Sequence, residues 1–314
     1  MKKLISLLFA VAVLTVCLCG CASSDNSAET TPSASPEVSS TPAPEPVQWT
    51  DDYLKESVYG ILGKDLSEDV YAGDLSRFTS VFILADQVLF FNNPPFWDMM
   101  PDRPGVYTYG DCVYTEMAEI NLDCLKYFPN LESLWVALCD VENLDFLAEM
   151  PCLKYLALCG CCIEDISVLA GCDTLREITM HDNNVSDLSP LADMEIWDLF
   201  MSYNNISDIS PLAEMEKLPE EIVLSYNNIS DISALAPNGR STALAYLNLR
   251  NNSISDISPL SGYSNITILS LTYNNISDVS PLADMSKDMT IYLNGNPVQN
   301  IDILSDFERV YANN

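Results

Sequence analysis

Few residues in this chain could do chemistry. His181 is the one histidine, so any catalytic triad or histidine-bearing metal site would have to use it. Cys159, Cys161 and Cys162 form a C-G-C-C run that invites a thiolate metal site. On a strand, however, alternation sends Cys159 and Cys161 to opposite faces, and one ion would not collect both without breaking the strand. Asp165, Asp187, Asp208, Asp231, Asp256 and Asp278 recur at near-regular intervals. Stacked about 5 Å apart they would make a strip able to hold divalent cations. No Gly-rich calcium loop accompanies them, so the preferred reading is carboxylates that cap a following turn while facing solvent. No glycine-rich phosphate loop follows a strand and no H-E-x-x-H occurs. The chain is therefore not read as an enzyme, and no catalytic residue, metal or cofactor is assigned.

The aspartates belong to a larger repeating unit. The segment N-N-I-S-D-I-S-P-L-A at 204–213 recurs nearly verbatim from Asn183, Asn227 and Asn274, and with one inserted residue from Asn251. One column fixes the period: Cys139, Cys161, Asn183, Asn204, Asn227, Asn252, Asn274 and Asn296, spaced 22, 22, 21, 23, 25, 22 and 22 residues. Apolar residues sit five and three before it and two after it, as in Leu199, Met201 and Ile206 around Asn204. The pattern is L-x-x-L-x-L-x-x-N/C-x-L, the leucine-rich repeat, whose unit is roughly 20–29 residues. The expected fold is an α/β repeat: a curved solenoid with a parallel β-sheet on the concave face and short helical turns on the convex face. The L-x-L pair alternates as a strand does. The ladder of Asn183, Asn204, Asn227, Asn252, Asn274 and Asn296 points inward, where an amide satisfies backbone groups left bare by the turn. Ser-Pro pairs such as Ser210-Pro211 read as an N-cap followed by a preset first helical residue. Met150, Cys172, Met194, Met215 and Met285 are expected to fill the space beneath the turns.

Before the repeats, residues 1–20 read as a secretory leader: Lys2 and Lys3, then an apolar run too short for a membrane span. Leu18-Cys19-Gly20-Cys21 resembles the bacterial lipobox, which implies lipidation at Cys21. Residues 21–48 are rich in Ser, Thr, Pro, Ala and Glu and read as a disordered tether. It would reach about 30 Å as a coil and about 80 Å if extended. Residues 49–77 read as a helical cap, with Leu54, Val58, Ile61 and Leu62 as its stripe and Gly63 as its stop. Leu62-Gly63-Lys64, then Asp74-Leu75-Ser76-Arg77-Phe78-Thr79-Ser80-Val81, resemble the cap and first repeat of the internalin class of bacterial surface proteins. That resemblance spans about residues 50–304 and implies a binding protein. Residues 78–130 read as degenerate first repeats, one of them irregular, with a Pro- and aromatic-rich loop inserted at 92–109. Eight regular repeats follow at 131–304. Only the end, 305–314, remains, which leaves no room for the immunoglobulin-like domain that usually follows internalin repeats; invasion of host cells is not implied.

Composition narrows the partners. With 14 basic and 45 acidic residues, net −31, the chain lacks the basic footprint that nucleic acid or an anionic membrane surface needs. Eight cysteines follow Cys21, and a secreted context permits disulfides, so buried thiols plus one or two bridges are expected. The outward strand positions, four and two before the column, offer the contact surface. Trp135, His181, Phe200, Arg250 and Tyr292 lie there, with Tyr203, Tyr226 and Tyr273 beside the column. Trp135, Phe200 and Tyr292 then have no core to fill, and interface anchors are enriched in Trp, Tyr and Arg. The reading is a monomer on the extracellular face of a bacterial membrane, lipid-anchored and holding a protein ligand on its concave face. The alternatives are a cell-wall or carbohydrate-binding scaffold and, more remotely, an enzyme housed in residues 89–130.

Overall fold

Helix α1 (Asp52–Leu62) starts where the Asp51 carboxylate accepts the Leu54 N–H at 2.9 Å, and stops at Gly63, whose φ of 67° is the left-handed stop that favours glycine. Leu54 and Val58 on its inner face are fully buried, in the same apolar cluster as Val81 and Ile83. A short second helix, α2 (Ala72–Leu75), follows. The computed structural model describes residues 44–85, 87–90, 107–109, 112–114, 116–237, 239 and 243–313. The leader, Cys21, nearly all of the tether and most of the 92–109 loop lie outside them.

Fifteen short strands are described. They are β1 (Ser80–Leu84), β2 (Gln87–Phe90), β3 (Tyr107–Tyr109), β4 (Cys112–Tyr114), β5 (Ala118–Ile120), β6 (Ser133–Ala137), β7 (Cys139–Val141), β8 (Tyr155–Cys159) and β9 (Glu177–Thr179), followed by β10 (Asp198–Phe200), β11 (Glu221–Val223), β12 (Tyr246–Asn248), β13 (Ile268–Ser270), β14 (Thr290–Tyr292) and β15 (Arg309–Tyr311). The main sheet runs β15-β14-β13-β12-β11-β10-β9-β8-β6-β1-β2, parallel throughout except for β2, which pairs antiparallel with β1. Its register follows the repeat: Leu199 lies opposite Ile178 and Ile222, and Leu247 opposite Leu269. These inward residues are fully buried. Each contributes about 1.5–3 kcal/mol relative to exposure.

The Asn column ties neighbouring repeats together. Asn227 accepts the Ile206 N–H of the preceding repeat through Oδ1 at 3.0 Å and donates through Nδ2 to the Met201 and Leu224 carbonyls at 2.9 and 3.1 Å. Asn204, Asn274 and Asn296 repeat the pattern, and Asn252 does so half-buried. Asn183 accepts from both Cys161 and Ile163. Cys161 stands in for Asn with its thiol toward Val136 and Cys159 carbonyls at 3.6 and 3.4 Å, a weaker version of the same bridge.

On the convex side each repeat turns through a 3-10 helix, for example Ser210–Ala213, and the Met and Cys residues beneath are buried. Of the two expected caps, the aspartate column is the one that forms and the serine one does not. Ser189, Ser210, Ser258 and Ser280 open the helices rather than cap them. The caps are the aspartates two residues earlier, whose Oδ1 accepts the backbone N–H of Ser189, Ser210, Ser258 and Ser280 at 2.8 Å. Asp165 and Asp231 do the same for Ser167 and Ser233. An Asx turn of this kind offers a longer-reaching acceptor than serine. The hydrogen bonds from Ser167, Ser210 and Ser280 hold Asp165, Asp208 and Asp278 below the usual carboxylate range.

Two boundaries are corrected. β1 pairs directly with β6, Val81 opposite Leu134, so no irregular repeat lies between them. Ala118 and Ile120 instead pair with Cys139 and Val141, which makes Ala118 the column residue of the first repeat. The whole stretch from Asp86 to Met117 is thus an insertion between that repeat's strand and its column. At the other end, β15 adds a tenth parallel strand within 305–314, with Val310 opposite Ile291. The thiols of Cys124, Cys152, Cys159, Cys161, Cys162 and Cys172 are free.

Candidate functional site

Alternation puts the residues six, four and two before the column on the concave face, and the residue just before the column on its lip. The concave face is less open than expected. Trp135, 5% exposed, packs edge-on against Phe82 at 5.7 Å, within a second apolar cluster that includes Leu84, Ala137, Leu138, Ala157 and Cys159. Phe200 is also 5% exposed, with its ring centroid 6.4 Å from that of His181. His181 is 3% exposed, and its Nδ1 accepts the Ser202 N–H at 3.0 Å, which places its proton on Nε2. Burial pushes its pKa down to about 4, so the ring is neutral near pH 7. The expectation that Trp135, His181 and Phe200 face solvent is therefore wrong. Strand alternation assigns a face, but neighbouring rows on a concave surface close on one another and bury what lies between. Cys159 is buried in the same way, which raises its thiol pKa to about 12 and makes it inert.

The lip is different. Its residues adopt positive φ in repeat after repeat: Leu138 at 53°, Asp182 at 58°, Asn251 at 53°, with glycine at 160 and 295. Tyr203, Tyr226 and Tyr273 occupy the same position at 58°, 57° and 56°. The rings of Tyr203 and Tyr226 stack, centroids 4.1 Å apart and 15° from parallel. Burial, with a hydrogen bond between the two tyrosines, moves the Tyr203 hydroxyl up to about 12. The Arg250 guanidinium continues the column, 5.7 Å from the Tyr226 ring and 5.2 Å from that of Tyr273. Tyr273, 52% exposed, lies over Gly295, where an added Cβ would fall 2.3 Å from Cδ1 of the ring. Tyr292, half-buried, stacks on Tyr311 at 4.9 Å near the end of the sheet. Four of the eight expected contact residues, Tyr203, Tyr226, Arg250 and Tyr273, thus form one continuous column. Tyr292 lies apart, and the other three are buried.

One feature escaped the sequence reading. Asp198 pairs across the sheet with both Glu177 and Glu221, so three carboxylates sit side by side in the row six before the column. Burial first, and then the neighbouring acids, push Glu177 to about 7, Glu221 to about 7 and Asp198 to about 6. The signal was present, since alternation carries outward positions one step beyond the two considered.

Comparison with known proteins agrees with this geometry. The family described as leucine rich repeats (2 copies) matches residues 220–262 and 242–284. An internalin, InlF, from Listeria monocytogenes has a similar structure, with a TM-score of 0.50 at 19% identity over 87% of this chain and 95% of that one. InlC2 from the same organism gives 0.53 at 20% identity, covering 87% and 98%. No curated protein matches the sequence. At these identities the likeness shows the fold, a leucine-rich-repeat solenoid similar to those of internalins.

Proposed function

We propose that this leucine-rich-repeat chain, with its internalin-like fold, is a lipid-anchored bacterial surface protein that binds another protein along the lip of its concave face. One observation carries the reading: tyrosine at three lip positions where the backbone is left-handed. A bulky residue there costs about 1–2 kcal/mol relative to glycine. Gly160 and Gly295 occupy equivalent positions, so the turn does not require a side chain. Strain that the fold does not need suggests a role outside the fold. Tyrosine with a neighbouring arginine suits protein contact, because both bury large rigid surfaces and keep polar ends. The anchor rests on the Leu18–Cys21 lipobox, and the surface location follows from it.

Incorporation of a photo-crosslinking phenylalanine analogue at position 273, against position 284 on the exposed convex side, tests this on intact cells. Protease-sensitive adducts at 273 and none at 284 are expected. Equal adducts at both positions, or none at 273, refute the reading. Adducts at 273 that resist protease but yield to glycan hydrolases transfer it to a carbohydrate scaffold.

A further inference from the structure

Charge on the concave face changes partway along the sheet. Glu177, Asp198 and Glu221 crowd β9 to β11, but from β12 to β15 none of the outward residues is acidic. Those positions carry tyrosine, serine, threonine, asparagine and isoleucine, with Arg250 and Arg309. The chain as a whole has 45 acids to 14 bases. Of the basic residues described, Lys64, Lys126, Lys154 and Arg176 each pair with a carboxylate. Among the described residues Arg250 pairs with none, and its Nε is buried without a hydrogen-bond partner.

We propose that Arg250, clamped between Tyr226 and Tyr273, receives a carboxylate from an Asp or Glu side chain of the protein partner, with Arg309 adding positive charge at the end of the sheet. The inference rests on the concave-lip reading above and adds the chemistry of what docks there. Rings on either side fix the guanidinium plane by cation–π contact, which lowers the entropy lost when its in-plane donors engage a planar carboxylate. A fork of N–H donors meets the two oxygens of a carboxylate side by side, and such charge-assisted pairs are short and strong. The net charge of −31 selects the form of the ligand. A polyanion such as nucleic acid is repelled by the molecule as a whole, whereas a single carboxylate on a partner of mixed charge meets only the local field, since charges beyond about 10 Å are screened at 0.1 M salt. Asn248 and Ser270, half-buried beside it, offer donors and acceptors of the kind a peptide backbone requires.

The test titrates acetyl-Gly-Glu-Glu-Gly-amide, and its Gln-Gln counterpart, into the folded chain at 0.1 M salt, following the Arg250 Nε–H resonance by NMR. The resonance is assigned by its disappearance in Arg250→Lys. A saturable shift with the Glu peptide, at least ten-fold weaker with the Gln peptide and in Arg250→Gln, is expected. Equal responses to the two peptides, or no shift at Arg250, overturn the proposal. Inorganic phosphate or digalacturonate binding more tightly than the Glu peptide overturns it too, in favour of a phosphate or a glycan carboxylate. Cross-linking at position 273 separates this inference from its premise. Adducts that persist in Arg250→Gln at wild-type yield refute only the carboxylate contact, while their absence from the wild-type chain refutes the concave lip itself.

Discussion

Neutralising Glu177 should stabilise this protein at pH 8 and leave it unchanged at pH 4. Glu177, Asp198 and Glu221 lie on adjacent strands, about 4.8 Å apart by sheet geometry. The basic residues next to the row are engaged elsewhere, Lys154 with Glu132 and Arg176 with Glu195, and the row is flanked by Tyr155 and Tyr246. Burial raises Glu177 from 4.5 to about 7, with Asp198 and Glu221 adding repulsion. A group whose folded pKa lies above its unfolded value favours folding fully below the unfolded pKa, and that contribution is lost as pH rises to the folded pKa. Stability should therefore fall between about pH 4.5 and pH 7 and level off above. For Glu177 the move corresponds to about 3 kcal/mol. Asp198 and Glu221 are more open to solvent and share the same protons, so the row as a whole should lose on the order of 3–4 kcal/mol rather than three times that. Glu177→Gln keeps the shape and removes the charge, which should recover roughly 1–3 kcal/mol at pH 8. Urea unfolding of both chains at pH 4, 6 and 8 in 0.1 M salt measures this directly. Curves that stay parallel from pH 4.5 to 8 would show that the three carboxylates are solvated and that the packed row is wrong.

Three further outcomes are expected. Asn227→Ala removes bonds to Ile206, Met201 and Leu224 and should cost about 1–3 kcal/mol, while Asn228→Ala, exposed, should stay within about 0.5 kcal/mol; equal shifts in the urea midpoint would refute the inward column. Gly295→Ala should destabilise by about 1–2 kcal/mol through its positive φ and displace the Tyr273 ring, visible as loss of the upfield ring-current shift at the Gly295 α-protons in the wild-type spectrum; an unchanged midpoint would contradict the close approach. Cys21→Ala should move the protein from the membrane fraction to the medium or leave it unprocessed, and a membrane-bound mature form lacking an acyl label would refute the anchor.

The periodic parts of this chain were legible because each repeat imposes the same packing on the same columns. Leu199, Met201, Asn204 and Ile206 could be turned inward by spacing alone, and the helix stop at Gly63 by residue type. Legibility failed where packing depends on what is not periodic. The insertion after Ala85 separates the first strand from its column residue, Ala118, and so hides a repeat that is otherwise regular. Val310 lies past Asn296, the last column residue that sets the phase, so the column pattern does not announce β15. Trp135, His181 and Phe200 were assigned to the correct face, but alternation carries no information on how tightly a concave face closes. The sequence offers both the aspartate column and the Ser-Pro serines as caps, because both residue types cap; geometry chooses the aspartates.

If the lip tyrosines are present for contact, Tyr273→Asn should separate binding from stability when both are read on one sample. Asparagine tolerates the left-handed backbone, and Tyr273 is half open to solvent, so the fold has little to lose. The expected result is a urea midpoint within about 0.5 kcal/mol of wild type and at least a ten-fold loss of affinity for the partner identified by cross-linking at position 273. A midpoint lowered by more than about 1.5 kcal/mol with affinity unchanged would make the tyrosine column architecture, worth its stacking energy and nothing more.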